Sequence, residues 1–365
     1  MTVQDITSLL ESTAPLAFQE EYDNAGLLTG NKDWECSGVL ISLDTTEEII
    51  DEAIRNKCNL VVAHHPIIFR GLKQLTGKNF IERTIIKAIK NDIAIYAIHT
   101  NLDSIKSGVN GKIAEKLGLI DLQVLRPKEA VLKKMSTFAP LDKADWVRQA
   151  LFNAGAGHIG NYSECSFSHE GTGTFKAEKG ANPYVGEVGV RHDEREIKIE
   201  VIFPFYLQLK VTEALKMAHP YEEVAYDIFS LDNYLSEVGS GLVGRLEKPK
   251  EGKELLSYIS KVFNAKGLRH TVYSDKAISR VAICGGAGIF LLKDALSLGV
   301  DAFITSDIKY HDYFEAEGRL LLVDMGHFES EQFTVDLLFD ILSSKFPNFA
   351  ILKTAINTNP VQYFG

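Results

Sequence analysis

Cysteine is scarce in this chain and carries no pattern: Cys36, Cys58, Cys165 and Cys284 lie far apart, with no CxxC pair. That excludes a disulfide framework and a thiolate zinc knot, and it is the usage expected in a reducing cytosol. Long apolar runs are also missing. The strongest, such as Leu320–Val323, are strand-sized and far short of the roughly 18 apolar residues that suggest a membrane span. The opening stretch MTVQDITSLLESTAPLAF is acidic and broken by Pro15, so it does not read as a signal peptide. An excess of basic charge is absent as well. Lys plus Arg number 39 against 49 Asp plus Glu, a net charge of −10, which argues against a nucleic-acid partner. Short repeats and low-complexity linkers are not found. A cytoplasmic protein with no membrane attachment is expected.

What is present is ordinary globular material: 45% hydrophobic and 24% charged over 365 residues, enough for two or three domains at about 150 residues each. The first third alternates strands with helices. Gly38–Leu43 is an apolar run ending at Asp44, and Thr45 with Glu48 three residues on opens a helix as N-cap and partner. Leu60–Ala63 and Ile93–Ile98 read as strands, Phe80–Lys90 and Gly108–Leu117 as helices. Such alternation implies a parallel sheet covered on both faces.

From Lys128 the texture changes. Ala130–Phe138 reads as a strand, Lys143–Ala154 as a helix and Ser163–Glu178 as a polar stretch rich in Gly, Ser and Thr. Glu194–Phe203 is then a strand, Tyr206–Ala218 a helix and Val224–Leu231 a strand. This β-α-β-β-α-β pattern is that of a ferredoxin-like domain. The βα texture then returns: strands at Val243–Glu247, Thr271–Tyr273, Ala277–Cys284, Ala302–Thr305 and Leu320–Val323, and helices at Lys253–Phe263, Ile289–Leu298 and Ser330–Lys345. The expected fold class is therefore α/β, one domain in two halves (1–127 and 235–365) with a ferredoxin-like domain (128–234) inserted between them.

Ligands in open α/β sheets bind beyond the carboxyl ends of the strands, so strands that end in ionisable side chains locate candidate chemistry. Leu60–Ala63 runs into His64-His65-Pro66, Ile95–Ile98 into His99-Thr-Asn-Leu-Asp103, and Leu320–Val323 into Asp324-Met-Gly-His327-Phe-Glu-Ser-Glu331. Adjacent histidines on a regular strand point to opposite faces, but Pro66 at the strand end lets both rings converge. His327 and Glu331, four apart, stack on one face of a helical turn. Imidazole with carboxylate suits zinc, iron, manganese or nickel. His64, His65, Asp103, His327 and Glu331 exceed what one catalytic zinc with an open position needs, and two metals bridged by a carboxylate would use them well. Asp324 and Glu329 read as capping or solvated charges. Asp307, Lys309 and His311 could orient ligands or hold an anionic group. Cys284-Gly-Gly-Ala-Gly288 matches neither GxGxxG nor a P-loop and reads as tight packing of a strand against a helix.

Ala63–Phe69 (AHHPIIF), His99–Asp103 (HTNLD), CGGAG at Cys284–Gly288, TSDIKYHD at Thr305–Asp312 and GHFESE at Gly326–Glu331 together resemble the NIF-three-like proteins, often labelled GTP cyclohydrolase I type 2 homologues. The resemblance implies a dinuclear-metal α/β fold in a homohexameric ring. Its ligands fall on His64, His65, Asp103, His327 and Glu331, with His99 a candidate proton donor. Ser306 stands where relatives often have Gly. The insertion resembles the PII- and CutA-like trimeric folds, most clearly at His219–Ile228, which implies trimerisation or capping of the ring rather than chemistry; copper is not placed on His219.

Two functions are then in competition. One is a hydrolase using two divalent ions per subunit, zinc foremost with iron or manganese as alternatives. It would act on GTP or another nucleotide-like small molecule, with His99 as acid or base and Lys309 and His311 meeting an anionic group. For GTP, the family label implies hydrolytic opening of the imidazole ring with release of formate. The other is a non-enzymatic metal-handling or regulatory assembly using the same ligands.

Overall fold

The computed structural model describes residues 1–273 and 275–364. The chain forms two compact units: Met1–Pro127 together with the residues from Ser236 onward, and Lys128–Leu235.

The larger unit is built on two sheets. The first has five strands in the order Gly26–Thr29, Ala94–Ala97, Leu60–Ala63, Val39–Ser42, Ile351–Lys353. Its three central strands are buried at every position, which is why they read as continuous apolar runs rather than as alternations. Leu40, Val61 and Ile95 meet Ile49, Ile50, Ala53, Ile85 and Ala88 from helices Glu47–Arg55 and Phe80–Lys90. On the other face, helix Thr334–Lys345 packs on Val39–Ser42 and Ile351–Lys353, with helix Val3–Thr13 beside it. The expected parallel pairing holds from Ile351–Lys353 to Ala94–Ala97, while Gly26–Thr29 joins antiparallel.

The second sheet has six strands: Arg269–His270, Leu321–Asp324, Ala302–Thr305, Ile278–Ile283, Gly239–Lys250, Leu119–Pro127. Ile278–Ile283, Ala302–Thr305 and Leu321–Asp324 run parallel. One face packs Leu291, Leu292 and Ala295 against Ala282, Phe303 and Leu322. Helix Val109–Leu117 lies against Leu119–Pro127, Gly239–Lys250 and Ile278–Ile283 and touches helix Gly252–Phe263.

The two halves are interlocked. Leu119–Pro127, from the first half, pairs antiparallel with Gly239–Lys250 as an edge of the second sheet. Ile351–Lys353, from the second half, pairs parallel with Val39–Ser42 as an edge of the first. Neither edge strand was expected: one alternates weakly after a helix, the other is three residues long. Three local expectations are corrected. Thr46, not Thr45, caps its helix, its Oγ1 accepting from Ile49 N–H at 3.4 Å, because Thr45 is buried at the strand end. The strand expected at Thr271–Tyr273 lies at Arg269–His270. Ser163–Glu178 holds the strand Phe167–Lys176, which its near-complete exposure hid from an apolar pattern.

The smaller unit is a four-stranded antiparallel sheet in the order Phe167–Lys176, Arg191–Pro204, Leu132–Pro140, Tyr226–Leu231. With helices Ala144–Asn153 and Gln208–Ala218 it is β-α-β-β-α-β in chain order, the ferredoxin-like arrangement. The helices cover one face, where Met135, Ile199, Val201 and Phe203 meet Val147, Leu151, Val211 and Leu215.

Candidate metal centre

In the first sheet Ser42, Ala63 and Ala97 are level partners, so Asp44, His64-His65 and His99 emerge together just beyond its carboxyl edge. In the second, Thr305 pairs with Asp324, bringing Asp307 and His327 to a common edge. The two edges meet: His65 and His327 approach Nε2 to Nε2 at 3.3 Å, and both reach Glu331 Oε2, at 3.0 and 3.1 Å. His64 and His65 do converge, their ring centroids 4.9 Å apart where the strand stops at Ala63. Thr100–Asp103 forms one helical turn that carries Asp103 to 3.6 Å from His64 Nε2. His327–Glu331 is a second single turn that stacks its two end residues, as their spacing requires.

Three overlapping groups have donor atoms within 4.8 Å of one another: His64, His65 and His99; His65, His327 and Glu331; His64, Asp103 and Glu331. All five proposed ligands are therefore brought together, and His99 joins them, its ring 5.3 and 5.4 Å from those of His64 and His65. Lys309 and His311 lie apart from these groups. Both are exposed on the segment after Asp307, and His311 rests its ring against Tyr310.

Each imidazole is held from behind at Nδ1. Ile98 carbonyl takes His64 Nδ1–H at 2.8 Å; because a carbonyl only accepts, the proton sits on Nδ1 and Nε2 keeps its lone pair. Asp44 holds His65 at 2.8 Å, Asp307 holds His327 at 2.7 Å, and Asp23 holds His99 at 2.8 Å. Such backing fixes tautomer and ring orientation around a metal. Thr358 Oγ1 donates to Asp44 in turn, and Thr100 N–H to Asp23 at 3.0 Å. Asp23 and Thr358 were missed because they lie in irregular segments with no pattern to mark them. Asp44 was legible as the end of the Gly38–Leu43 run, but a lone carboxylate there, with no histidine beside it in sequence, gave no sign of a partner. Asp307, read as a possible ligand-orienting group, sits in the left-handed region at φ +56, a conformation Asp tolerates better than most residues.

The electrostatics describe a pocket that calls for positive charge. Burial pushes the Asp103 carboxyl well above its ordinary range, and the neighbouring Glu331 charge adds to this. Burial also pushes Glu331 up, but hydrogen bonds from His327 and His65 outweigh it and hold Glu331 well below the usual range. Burial lowers His64, favouring the neutral ring that a metal ligand must be. For His65, burial is outweighed by Asp44 and Glu331 and the ring is raised to about 9; for His327, by Asp307 and Glu331, to about 11. The donor set fits a cation by a direct test. His64 Nε2 and Asp103 Oδ1 are both buried without a hydrogen-bond partner, 3.6 Å apart. That is too far for a hydrogen bond, yet one ion with metal–ligand bonds of about 2.0–2.2 Å can span it.

The glycine turn after Ile278–Ile283 packs on this centre. Gly286 has φ +60, and a Cβ there would lie 2.5 Å from Glu331 Oε1. Packing was the expected role; what Gly286 makes room for is Glu331. Asp324 and Glu329 are buried rather than solvated. Asp324 accepts from Ile308 N–H and pairs with Arg269, and Glu329 accepts from Asn359 at 3.1 Å.

Fold and site together define a mixed α/β protein with a histidine–carboxylate cluster where two sheet ends meet. Residues 1–360 match the Duf34/NIF3 (NGG1p interacting factor 3) family, and the chain belongs to it. A Bacillus subtilis (strain 168) protein named GTP cyclohydrolase 1 type 2 homolog is 40% identical over 327 residues, covering 89% of this chain and 88% of its own. One of the same name from Halalkalibacterium halodurans is 39% identical, covering 99% and 98%. Among solved structures, a Bacillus cereus protein related to NIF3 superposes with a TM-score of 0.86 at 39% identity, covering 100% of this chain and 99% of its own. A Staphylococcus aureus protein gives 0.80 at 30% identity over the same shares.

Proposed function

We propose that this chain is a metal-dependent hydrolase with a two-ion centre held by His64, His65, Asp103, His327 and Glu331. The observation that carries the reading is the facing pair of orphaned buried atoms, His64 Nε2 and Asp103 Oδ1, inside donor groups that overlap at Glu331. A carboxylate common to two donor groups is what a bridged pair of ions requires. Divalent ions held here, zinc first and iron or manganese as alternatives, supply Lewis acidity toward water and toward a substrate oxygen.

The chain's own residues do the rest. His99 holds a proton at its ring against the Asp23 carboxylate, which keeps it oriented beside His64 and His65 and able to serve as acid or base. Lys309 and His311, exposed beyond Asp307, are offered as contacts for an anionic group of the substrate. Access is from the His327 side, since the His327 side chain is 39% exposed and that of His64 is 0%. The name carried by the relatives makes GTP the first substrate to test, with imidazole-ring opening and formate release as the expected reaction. A homohexameric ring in the cytoplasm is the assembly and location we propose; the four free cysteines accord with a reducing compartment. Among the described residues no helix is long and apolar enough to cross a membrane.

Elemental analysis of gently purified protein tests the centre. Wild type should carry near two equivalents of transition metal per chain, and His65→Ala, Asp103→Ala and Glu331→Ala should lose metal while keeping the wild-type circular dichroism. Full occupancy in all three variants would overturn the ligand assignment. Metal in wild type without turnover of GTP or other nucleotides would leave a metal-handling assembly as the better reading.

A further inference from the structure

The smaller unit holds a cavity that the metal centre does not explain. It encloses about 550 Å³, within the range of small-molecule sites. Its floor is the sheet face opposite the helices, where Gly171 pairs with Glu196 and His169 with Lys198. Two floor positions lack side chains. A Cβ at Gly171 would meet nothing within 4 Å, so the strand opens directly into the cavity there, while one at Gly173 would lie 2.2 Å from Glu196 Oε2.

The lining is aromatic with one sign of charge in excess. Tyr221 lies 6.1 Å from Tyr184 and 6.4 Å from Phe175, ring centre to ring centre, and all three line the space. Glu196 is only 9% exposed and faces the same space. Its Oε1 accepts from the Tyr221 hydroxyl at 2.9 Å, and its Oε2 has no hydrogen-bond partner among the described residues. Glu178, Glu222 and Glu223 add further carboxylates. Against them stand Lys176 and Lys198, and Lys198 is already paired with Glu200 at 2.9 Å. A largely buried carboxylate with one oxygen open to the cavity and free of protein donors, beside aromatic faces, is complementary to a cation that brings N–H groups and apolar surface.

We propose that this cavity is a binding site for a small organic cation: a protonated amine carried on a flat apolar or aromatic body. The ammonium donates to Glu196 Oε2, and the body lies among Phe175, Tyr184 and Tyr221 over the side-chain-free floor at Gly171. The site stands independently of the metal reading, because no residue is common to both.

The test titrates 2-phenylethylamine into the intact chain by calorimetry, with 3-phenylpropionate as a control of similar shape and opposite charge. The amine should bind saturably and the carboxylate should not. Glu196→Gln should weaken the amine by roughly tenfold or more, as expected for loss of a charged hydrogen bond. Gly171→Val puts a side chain into the open space beside its cross-strand partner Glu196 and should abolish binding while leaving metal content unchanged. Equal binding of the carboxylate, unchanged amine affinity in both variants, or no saturable binding would overturn the proposal. So would a fall in oligomer mass in Gly171→Val with no amine bound, which would assign this face to a second copy of the chain.

Discussion

At the residue scale, the centre depends on what stands behind the imidazoles as much as on the imidazoles themselves. Asp44 is the clearest case: it holds His65 Nδ1 and is itself held by Thr358. Asp44→Ala should leave the fold intact, since its side chain is 32% exposed, yet weaken metal binding by about 10- to 100-fold. Competition with a chromophoric chelator would measure this, and an unchanged affinity would show that His65 needs no backing. Gly286 makes a different demand. Gly286→Ala must place a side chain at φ +60 and push a Cβ to 2.5 Å from Glu331 Oε1. The left-handed backbone alone costs about 1–2 kcal/mol, and displacing Glu331 should lower metal content with it. Thermal unfolding and elemental analysis on one preparation would read both losses.

At the element scale, strand ends do the positioning. Four-residue strands buried at every position leave little freedom in register, because a slip of one residue would disturb both packed faces. That rigidity brings Asp44, His64-His65 and His99 out at one level. In the smaller unit, the strand Arg191–Pro204 carries a charged device of its own. Glu200 lies between Lys134 at 2.7 Å and Lys198 at 2.9 Å, and these lysines hold its carboxyl down at about 2, against 4.5 ordinarily. A carboxyl depressed on folding stabilises fully above its unfolded value and loses that contribution as pH falls toward the folded value. Glu200→Gln should therefore unfold at a lower temperature than wild type near neutral pH, by an amount worth about 1 kcal/mol or less because the group is partly solvated. The difference should shrink between pH 4.5 and 2. A gap that stayed constant across that range would mean the lysines contribute nothing to stability through this charge.

At the scale of the whole molecule, the two halves of the larger unit cannot be separated without stripping an edge strand from each sheet. A chain cut within the smaller unit should therefore keep both fragments associated. The proposed ring makes a further prediction: light scattering should give a mass near six times 40.5 kDa, independent of concentration in the micromolar range. A monomeric mass would remove the ring.

The pattern of apolar runs was enough to place most strands and helices, because elements covered on both faces must be apolar along their whole length. In the smaller unit the same periodicities placed both helices and three of the four strands, while Phe167–Lys176, with no buried position, carried no apolar pattern to mark it. His64, His65, Asp103, His327 and Glu331 were legible for a related reason: strand ends are where an open sheet exposes side chains, and ionisable residues there break an otherwise apolar text. Proximity was not legible. Asp23, 76 positions from His99, and Thr358, 314 from Asp44, meet their partners only after the sheets assemble, and local pattern carries no information about such distances. The exchange of edge strands was hidden likewise, since a three-residue strand gains its stability from the neighbour it pairs with. The cavity over Gly171 arises from the packing of Glu196, Tyr184 and Tyr221 around a bare strand, a volume that exists only once three separate segments enclose it.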